Sequence, residues 1–356
     1  MQALHQDPRV THIGYIGTKR GLEARIIPRY SFIEFFAIRM RGFERRFSFK
    51  NFLAVFELAV GLLQTLFILW RFRPHLIIGM GGYASFPALF WSSLFGIKAV
   101  IHEQNYFPGL VNRVMAPWVN KVLLAHGETA RFLKAKAVAV VGVPIRKEIL
   151  EARKNYERFG LDPHKKTLLV MGGSNGSQTL TQHILACSPQ LQAAQILLIT
   201  GSQEIHARAL PSSVSVERYI DDIGSALACA DLVICRAGAS TLAELLALEK
   251  PAIVVPWAGA AENHQHWNAR ALLTERSYRV IAEAQLDPQS LVKAIRQLLA
   301  DSNGKRSESD ATCLMRNSTR LFLKEVESLL QNVSTLTGWH FHRRRQKTFS
   351  ANGSEL

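Results

Sequence analysis

The run Leu168-Leu-Val-Met-Gly-Gly-Ser-Asn-Gly-Ser177 passes from apolar residues into a glycine-rich turn, and a helical pattern follows. Gly172, Gly173 and Gly176 let the backbone approach a ligand closely, and the helix amino end behind them favours an anion. Ser174 and Ser177 can donate hydroxyls to phosphate oxygens. No Gly-Lys-Ser/Thr follows, so this is not an NTPase phosphate loop. A plain strand-to-helix turn is the competing account.

The same alternation recurs on both sides. Candidate strands are His12–Ile16, His75–Ile78, Ala99–His102, Lys121–Ala125, Thr167–Met171, Ile196–Thr200, Leu232–Cys235 and Ala252–Val255, several ending in glycine or polar residues before a helix. Short apolar runs alternating with longer helical patterns mark an α/β fold with parallel sheets, whose strand ends line the ligand crevice. At 356 residues the chain suits two such units. The polar segment from Val143 to about Pro163 reads as the hinge, and the basic tail from Gly338 reads as disordered.

Composition narrows the setting. Hydrophobic residues make up 48% and charged residues 20%, ordinary for a globular protein with a sizeable core. The four cysteines (Cys187, Cys229, Cys235, Cys313) form no C-x-x-C pair, which fits a reducing cytosol, and Met1–Thr11 is too polar for a signal peptide. Residues 1–150 carry 20 Lys and Arg against 8 Asp and Glu, a net of +12, whereas the remainder is nearly balanced. A basic half points to an anionic partner. No nucleic-acid reading module is recognisable, so an anionic membrane surface is the better candidate.

Phe52–Trp70 is apolar over 19 residues, close to what a bilayer needs. Glu57 and Gln64, seven apart, share one helical face. Arg39, Arg41, Arg45, Arg46 and Lys50, with Phe43, Phe47 and Phe49 between them, lie just before it. Three assignments stand: a core helix behind a solvated basic loop, a helix docked on a membrane surface, or a span. The first is favoured, and it is compatible with the second.

A second unit, Asp231-Leu-Val-Ile-Cys-Arg-Ala-Gly-Ala-Ser-Thr-Leu-Ala-Glu244, again runs strand, turn, helix. Ser240 or Thr241 can cap the helix, leaving free amides for a diphosphate. Glu244, one turn on, can accept two hydrogen bonds from a vicinal diol. The competing account is a capping box in which Glu244 satisfies its own backbone. Pro256-Trp-Ala-Gly-Ala-Ala-Glu-Asn-His-Gln-His-Trp-Asn-Ala269 places polar side chains where a loop enters a helix; His264 and His266, two apart, cannot share a helical face, so no metal is expected. Gln265 and Asn268 suit phosphates or sugar hydroxyls. Ile101-His-Glu-Gln-Asn105 closes a strand with crowded polar residues, and Glu103 or His102 can serve as a base or orient one, a structural network being the alternative.

Taken together these motifs resemble the MurG-type N-acetylglucosaminyltransferases. The matching runs are Gly17-Thr-Lys-Arg-Gly-Leu-Glu23, Gly79-Met-Gly-Gly-Tyr83, His102-Glu-Gln-Asn105, Gly142-Val-Pro-Ile-Arg146, Gly172-Gly-Ser-Asn-Gly176, Tyr219-Ile-Asp-Asp222, Cys235-Arg-Ala-Gly-Ala-Ser-Thr241 with Glu244, and Asn263-His-Gln265 with Asn268. They keep the family's order over about residues 10–330. The resemblance implies an α/β, GT-B fold of two Rossmann-like domains around a cleft, with a C-terminal helix crossing back. The expected limits are 1–142, 143–315, a returning helix 316–335 and a tail 336–356. It implies inverting transfer of N-acetylglucosamine from UDP-GlcNAc to undecaprenyl-diphosphate-MurNAc-pentapeptide, in peptidoglycan synthesis, at the cytoplasmic face of the bacterial inner membrane. It places Asn105 by the donor sugar, Arg146 and Ser174 by the diphosphate and Ile220 by the uracil. Gly238, Ala239, Ser240 and Thr241 fall at the phosphates, Glu244 at the ribose, and His264, Gln265 and Asn268 at the sugar or diphosphate.

No Asp-x-Asp occurs, so no cofactor or metal is expected for nucleotide binding; helix amino ends, loop amides and Arg146 take that part. Two departures are minor: Val143 stands where Asn is common, and His264 replaces a frequent polar neighbour of Gln265. A third is larger. The family opens with a strand and a Gly-Gly-Thr-Gly-Gly-His loop, and Met1–Leu4 resembles the end of the helix after them. A start placed too far downstream is the favoured account, beside a fragment and an inactive product. A non-catalytic nucleotide-sugar-binding protein is therefore the alternative function, and a glycolipid galactosyltransferase or a UDP-GlcNAc 2-epimerase are related ones.

Overall fold

Every strand pairing among the described residues is parallel. The computed structural model describes residues 1–42, 49–173, 175–203, 210–273, 275, 277–301 and 309–331. Ser174, most of the basic loop (Phe43, Arg45, Arg46, Phe47) and the tail lie outside them. The first half contains β1 (Ile13–Thr18), β2 (Ile33–Ile38), β3 (Leu76–Gly79), β4 (Lys98–Glu103), β5 (Lys121–Leu124) and β6 (Val138–Val140). Its helices are α1 (Gln2–His5), α2 (Glu23–Ile26), α3 (Phe49–Phe72), α4 (Phe86–Phe95) and α5 (Leu110–Met115). After α6 (Lys147–Leu150) come β7 (Lys166–Met171), β8 (Ala194–Ile199), β9 (Val214–Glu217), β10 (Leu232–Cys235), β11 (Ala252–Val254) and β12 (Tyr278–Val280). The helices of this half are α7 (Gln178–Cys187), α8 (Ile223–Cys229), α9 (Ala239–Ala247), α10 (His264–Arg270) and α11 (Pro288–Asp301), before α12 (Asp310–Gln331).

The second half forms one sheet in the order β12-β11-β10-β7-β8-β9; the first half forms a pair β1-β2 and a sheet β3-β4-β5-β6. Successive side chains of a strand face opposite layers. Leu169, Leu197, Val233 and Val254 accordingly enter one core with α9, while Leu168, Val170, Ile196, Leu198, Ile234 and Ile253 enter another with α7 and α11. All eight expected strands are present, with ends shifted by one or two residues. The four that escaped the pattern, β2, β6, β9 and β12, each lie at a sheet edge. An edge strand has one neighbour and less burial, so its apolar run is weaker; β6 alternates exposed and half-buried residues and β9 is half-buried throughout.

The returning helix begins earlier than expected, at Asp310. Its Met315 joins the second-half core, and Phe322 and Val326, two and three turns on, pack on Val100 and Leu123 of the first half. The connection beneath it is not a solvated hinge: Val143, Ile145, Ile149 and Phe159 are all buried. Gly142 has a positive φ of 75°, and a Cβ there would sit 3.0 Å from the Ser318 Cβ of α12. Thr319 Oγ1 donates to Ile145 O at 3.1 Å, tying helix to linker.

Helix α3 corrects the core-helix expectation. Ala54, Gly61, Thr65 and Leu69 are buried on one side, but Phe52, Phe56, Leu63, Phe67 and Trp70 are exposed on the other. The polar pair is spent on the protein itself: Gln64 Oε1 accepts from Arg39 N at 2.8 Å, and Glu57 takes Arg41 Nη2 at 3.3 Å.

The glycine turn after β7 is shaped by packing. Gly176 has φ 75°, and a Cβ on it would lie 1.8 Å from Thr200 O. Gly160 has a similar φ of 63° with nothing within 4 Å of its would-be Cβ. Gly176→Ala is therefore expected to cost more than about 2 kcal/mol, and Gly160→Ala only about 1 kcal/mol. Urea unfolding midpoints of the two variants check the difference; equal losses would refute the close approach.

Candidate functional site

The segments following β4, β10 and β11 meet at Asn268, a buried residue on α10. Its Oδ1 accepts from Tyr106 N (2.9 Å), and its Nδ2 donates to Asn105 Oδ1 (3.1 Å) and to Ala237 O (3.1 Å). One amide thus joins both halves of the chain beside the start of α9.

Gly238 is the N-cap of α9, with no side-chain cap. This corrects the expected capping by Ser240 or Thr241, which stand inside the first turn. The amides of Ala239, Ser240 and Thr241 are left without intrahelical acceptors, as at any helix start, and the helix dipole adds positive potential there. Glu244 is likewise no capping-box partner: its Oε1 lies 3.7 Å from Arg146 Nη2. Burial pushes the Glu244 carboxyl up from its ordinary range and Arg146 pulls it back. Arg146, from the linker, is exposed. An open helix amino end, a guanidinium and a half-buried carboxylate within one turn can hold a diphosphate and an adjoining diol.

The start of α7 is closed instead. Ser177 Oγ caps it by accepting from Leu180 N (3.3 Å) and takes a second hydrogen bond from Arg236 Nη2 (2.7 Å). Ser177 Oγ thus serves the protein as an acceptor, where the sequence offered it to a phosphate as a donor. Arg236, 8% exposed, also donates to Val255 O (3.2 Å) and pairs with Glu283. Its charge is neutralised inside the protein. Burial alone would push the Glu283 carboxyl up, but the hydrogen bonds from Arg236 and from Ala258 N bring it below its ordinary range.

His102 and Glu103 are both buried, at 0% and 1% exposure. His102 Nε2 donates to Gly142 O (2.8 Å) and Nδ1 accepts from Gln104 Nε2 (3.1 Å), so neither ring nitrogen is open to a substrate. Glu103 Oε1 accepts from Asn105 N (2.9 Å) and Asn105 Nδ2 (3.2 Å), and Oε2 from Gly109 N (2.9 Å) and Asn112 Nδ2 (2.7 Å). A carboxylate with four donors orients the loop that carries Asn105. Both residues thus hold the backbone around them, the structural network that the sequence offered beside a general-base role.

Comparison with known proteins places this geometry. Residues 2–124 match the glycosyltransferase family 28 N-terminal domain, and residues 167–327 match the glycosyltransferase family 28 C-terminal domain. A relative from Desulforudis audaxviator, named UDP-N-acetylglucosamine–N-acetylmuramyl-(pentapeptide) pyrophosphoryl-undecaprenol N-acetylglucosamine transferase, is 38% identical over 350 residues, 91% of this chain and 90% of its own. The chain belongs to glycosyltransferase family 28, as a MurG-type member. A Clostridioides difficile protein of the same name is 38% identical over 301 residues, 81% of this chain and 73% of its own length. The MurG crystal structure from Acinetobacter baumannii superposes with a TM-score of 0.67 at 24% identity, covering 89% of this chain and 91% of that one, which establishes the GT-B fold.

Within this MurG-type transferase the expected residues fall into two groups. Asn105, Arg146, Gly238, Ala239, Ser240, Thr241, Glu244 and Asn268 gather around the start of α9. Gln265 and His264 open α10, where Gln265 Oε1 accepts from Trp257 N (2.9 Å) and His264 Nδ1 donates to Ala261 O (2.6 Å). The Ile220 side chain is in the core, 7% exposed, so it offers a base chiefly its backbone. Three residues were missed: Asn112, Arg236 and Glu283. Their partners are 9, 59 and 47 residues distant in sequence, beyond any local pattern. Asn112 Oδ1 is buried without a partner among the described residues.

Burial holds the His102 imidazole neutral, lowering its pKa from 6.5 to about 4, with the Gly142 carbonyl opposing. Between those values the unfolded chain binds a proton that the folded chain refuses. Stability is thus full above pH 6.5 and falls toward pH 4, by about 3 kcal/mol for this group. His102→Gln, which keeps a donor for Gly142 O, should flatten that stretch of a urea-stability profile; an unchanged slope would dismiss the assignment.

Proposed function

We propose that this chain moves N-acetylglucosamine from UDP-GlcNAc to the muramyl sugar of undecaprenyl-diphosphate-MurNAc-pentapeptide, with inversion at the anomeric carbon. The observation that carries the reading is the uncapped start of α9, with Glu244 one turn on and the Asn105–Asn268 pair beside it. The first-turn amides and Arg146 take the diphosphate, and Glu244 takes the ribose hydroxyls. Asn105 and Gln265 take the sugar, and Asn268, buried with its amide fully engaged, holds Asn105 in place. As the glycosidic bond to UDP breaks, charge grows on the diphosphate, and oriented amides and a guanidinium stabilise it without reorganising. Ser174 completes this set by resemblance, outside the described residues. Residues 1–142 form the acceptor half and 143–309 the donor half, and α12 (Asp310–Gln331) is the returning helix.

Peripheral attachment to the cytoplasmic face of the membrane is supported by α3. Its run Phe52–Phe72 is apolar enough to span a bilayer but is one-sided, with 22% of its apolar window buried inside the protein. The exposed Phe and Trp side chains lie in the basic half, whose charge of +12 over residues 1–150 favours anionic headgroups.

UDP is expected to raise the melting temperature in EDTA as much as with magnesium, and Glu244→Ala to weaken UDP binding by about tenfold to a hundredfold in calorimetry. Protection that requires a divalent ion would overturn the donor pocket. UDP release from UDP-GlcNAc with the lipid-linked acceptor tests the reaction itself. For the membrane, Phe56→Glu with Trp70→Glu should abolish sedimentation with anionic vesicles while leaving UDP binding unchanged; undiminished sedimentation would rule out α3 as the contact.

A further inference from the structure

Trp267, on α10 of the second half, packs into a cage of first-half rings. Its ring is 6.1 Å from Tyr106 at an interplanar angle of 4°, 5.8 Å from Phe107 at 21°, and 6.0 Å from Phe132 at 66°. Arg131, also from the first half, lies over both Phe132 (4.7 Å) and Tyr106 (5.7 Å), backing the cage with charge. The next residue in sequence is Asn268, whose side chain joins Asn105 and the Tyr106 backbone.

One turn earlier, Glu262 pairs with Arg113 of the first half at 2.5 Å. Glu262 and Asn263 both hold positive φ angles, 50° and 57°. Non-glycine residues occupy that region at a cost and stay there when surrounding contacts over-determine them. For Glu262 such a contact comes from the opposite half, through Arg113, while Asn263 N donates within the loop to Ala260 O.

From this geometry we infer that Trp267 is a positioning residue whose ring, held by Tyr106, Phe107 and Phe132, latches the two halves at the separation where Asn268 holds Asn105 in place for the donor sugar. Offset and edge-on aromatic packing is direction-dependent, so the cage fixes rotation as well as distance. The Arg113–Glu262 pair fixes the loop that leads into α10. Removing the ring leaves the sugar-binding amides chemically intact but no longer held in register, and a donor must then select the closed form from a mixture.

The inference rests on the donor reading above, and the test separates the two. Full-length wild type, Trp267→Ala, Trp267→Phe and Tyr106→Ala are compared by small-angle scattering without ligand, and by steady-state kinetics with UDP-GlcNAc and the lipid acceptor. Expected are a larger radius of gyration for Trp267→Ala, a donor KM raised about tenfold with kcat changed less, and recovery of both by Trp267→Phe. Tyr106→Ala, which keeps the core intact, should move both readouts in the same direction and covers a Trp267→Ala that fails to fold. Unchanged scattering in both alanine variants overturns the latch, whatever their kinetics. Expanded variants beside a wild type that binds no UDP-GlcNAc uphold the latch and remove the donor reading instead.

Discussion

A carboxylate buried at the end of a parallel strand has to find donors, and Glu103 finds four within nine residues of itself. Unpaired, such a charge costs several kcal/mol; fully hydrogen-bonded, it dictates the path of the chain around it. The turn from Asn105 to Gly109 is wound about this single group. Asn105 is aimed by it, Tyr106 N is turned toward Asn268, and α5 starts where Gly109 N is held. The cleft therefore owes its first-half wall to one buried acid.

The second half builds its wall by contrast between two helix starts. At α7 the cap, a buried guanidinium and a carboxylate consume one another, leaving a rigid, neutral support. At α9 only a glycine precedes the first turn, so the potential of the helix faces outward. Two motifs that look alike as strand–turn–helix units thus differ in whether the helix start is capped or open.

That division also marks how far the sequence could be read. Interior strands such as β4, β7, β8 and β10 were legible because burial on both faces writes an uninterrupted apolar run. The strands that escaped were all at sheet edges, where half the surroundings are solvent, although β1 and β3, also at edges, kept apolar runs strong enough to read. The polar pair Glu57 and Gln64 correctly signalled a one-sided α3, but not which side faced the protein, because that depends on Arg39 and Arg41 folding back over it. Around the site the residue types and spacings located α9, Glu244 and Asn268. Capping was misread because Ser240 and Thr241 satisfy the composition of a cap while Gly238 occupies its place. Asn112, Arg236 and Trp267 gain their meaning from partners brought close only by the fold.

The halves are joined twice, by the linker through Gly142 and by α12 lying directly upon it, with the Ser318 Cβ only 3.0 Å from where a Cβ on Gly142 would be. Two tethers fastened side by side oppose twisting of one half against the other more than either would alone, as paired hinge pins do on a door.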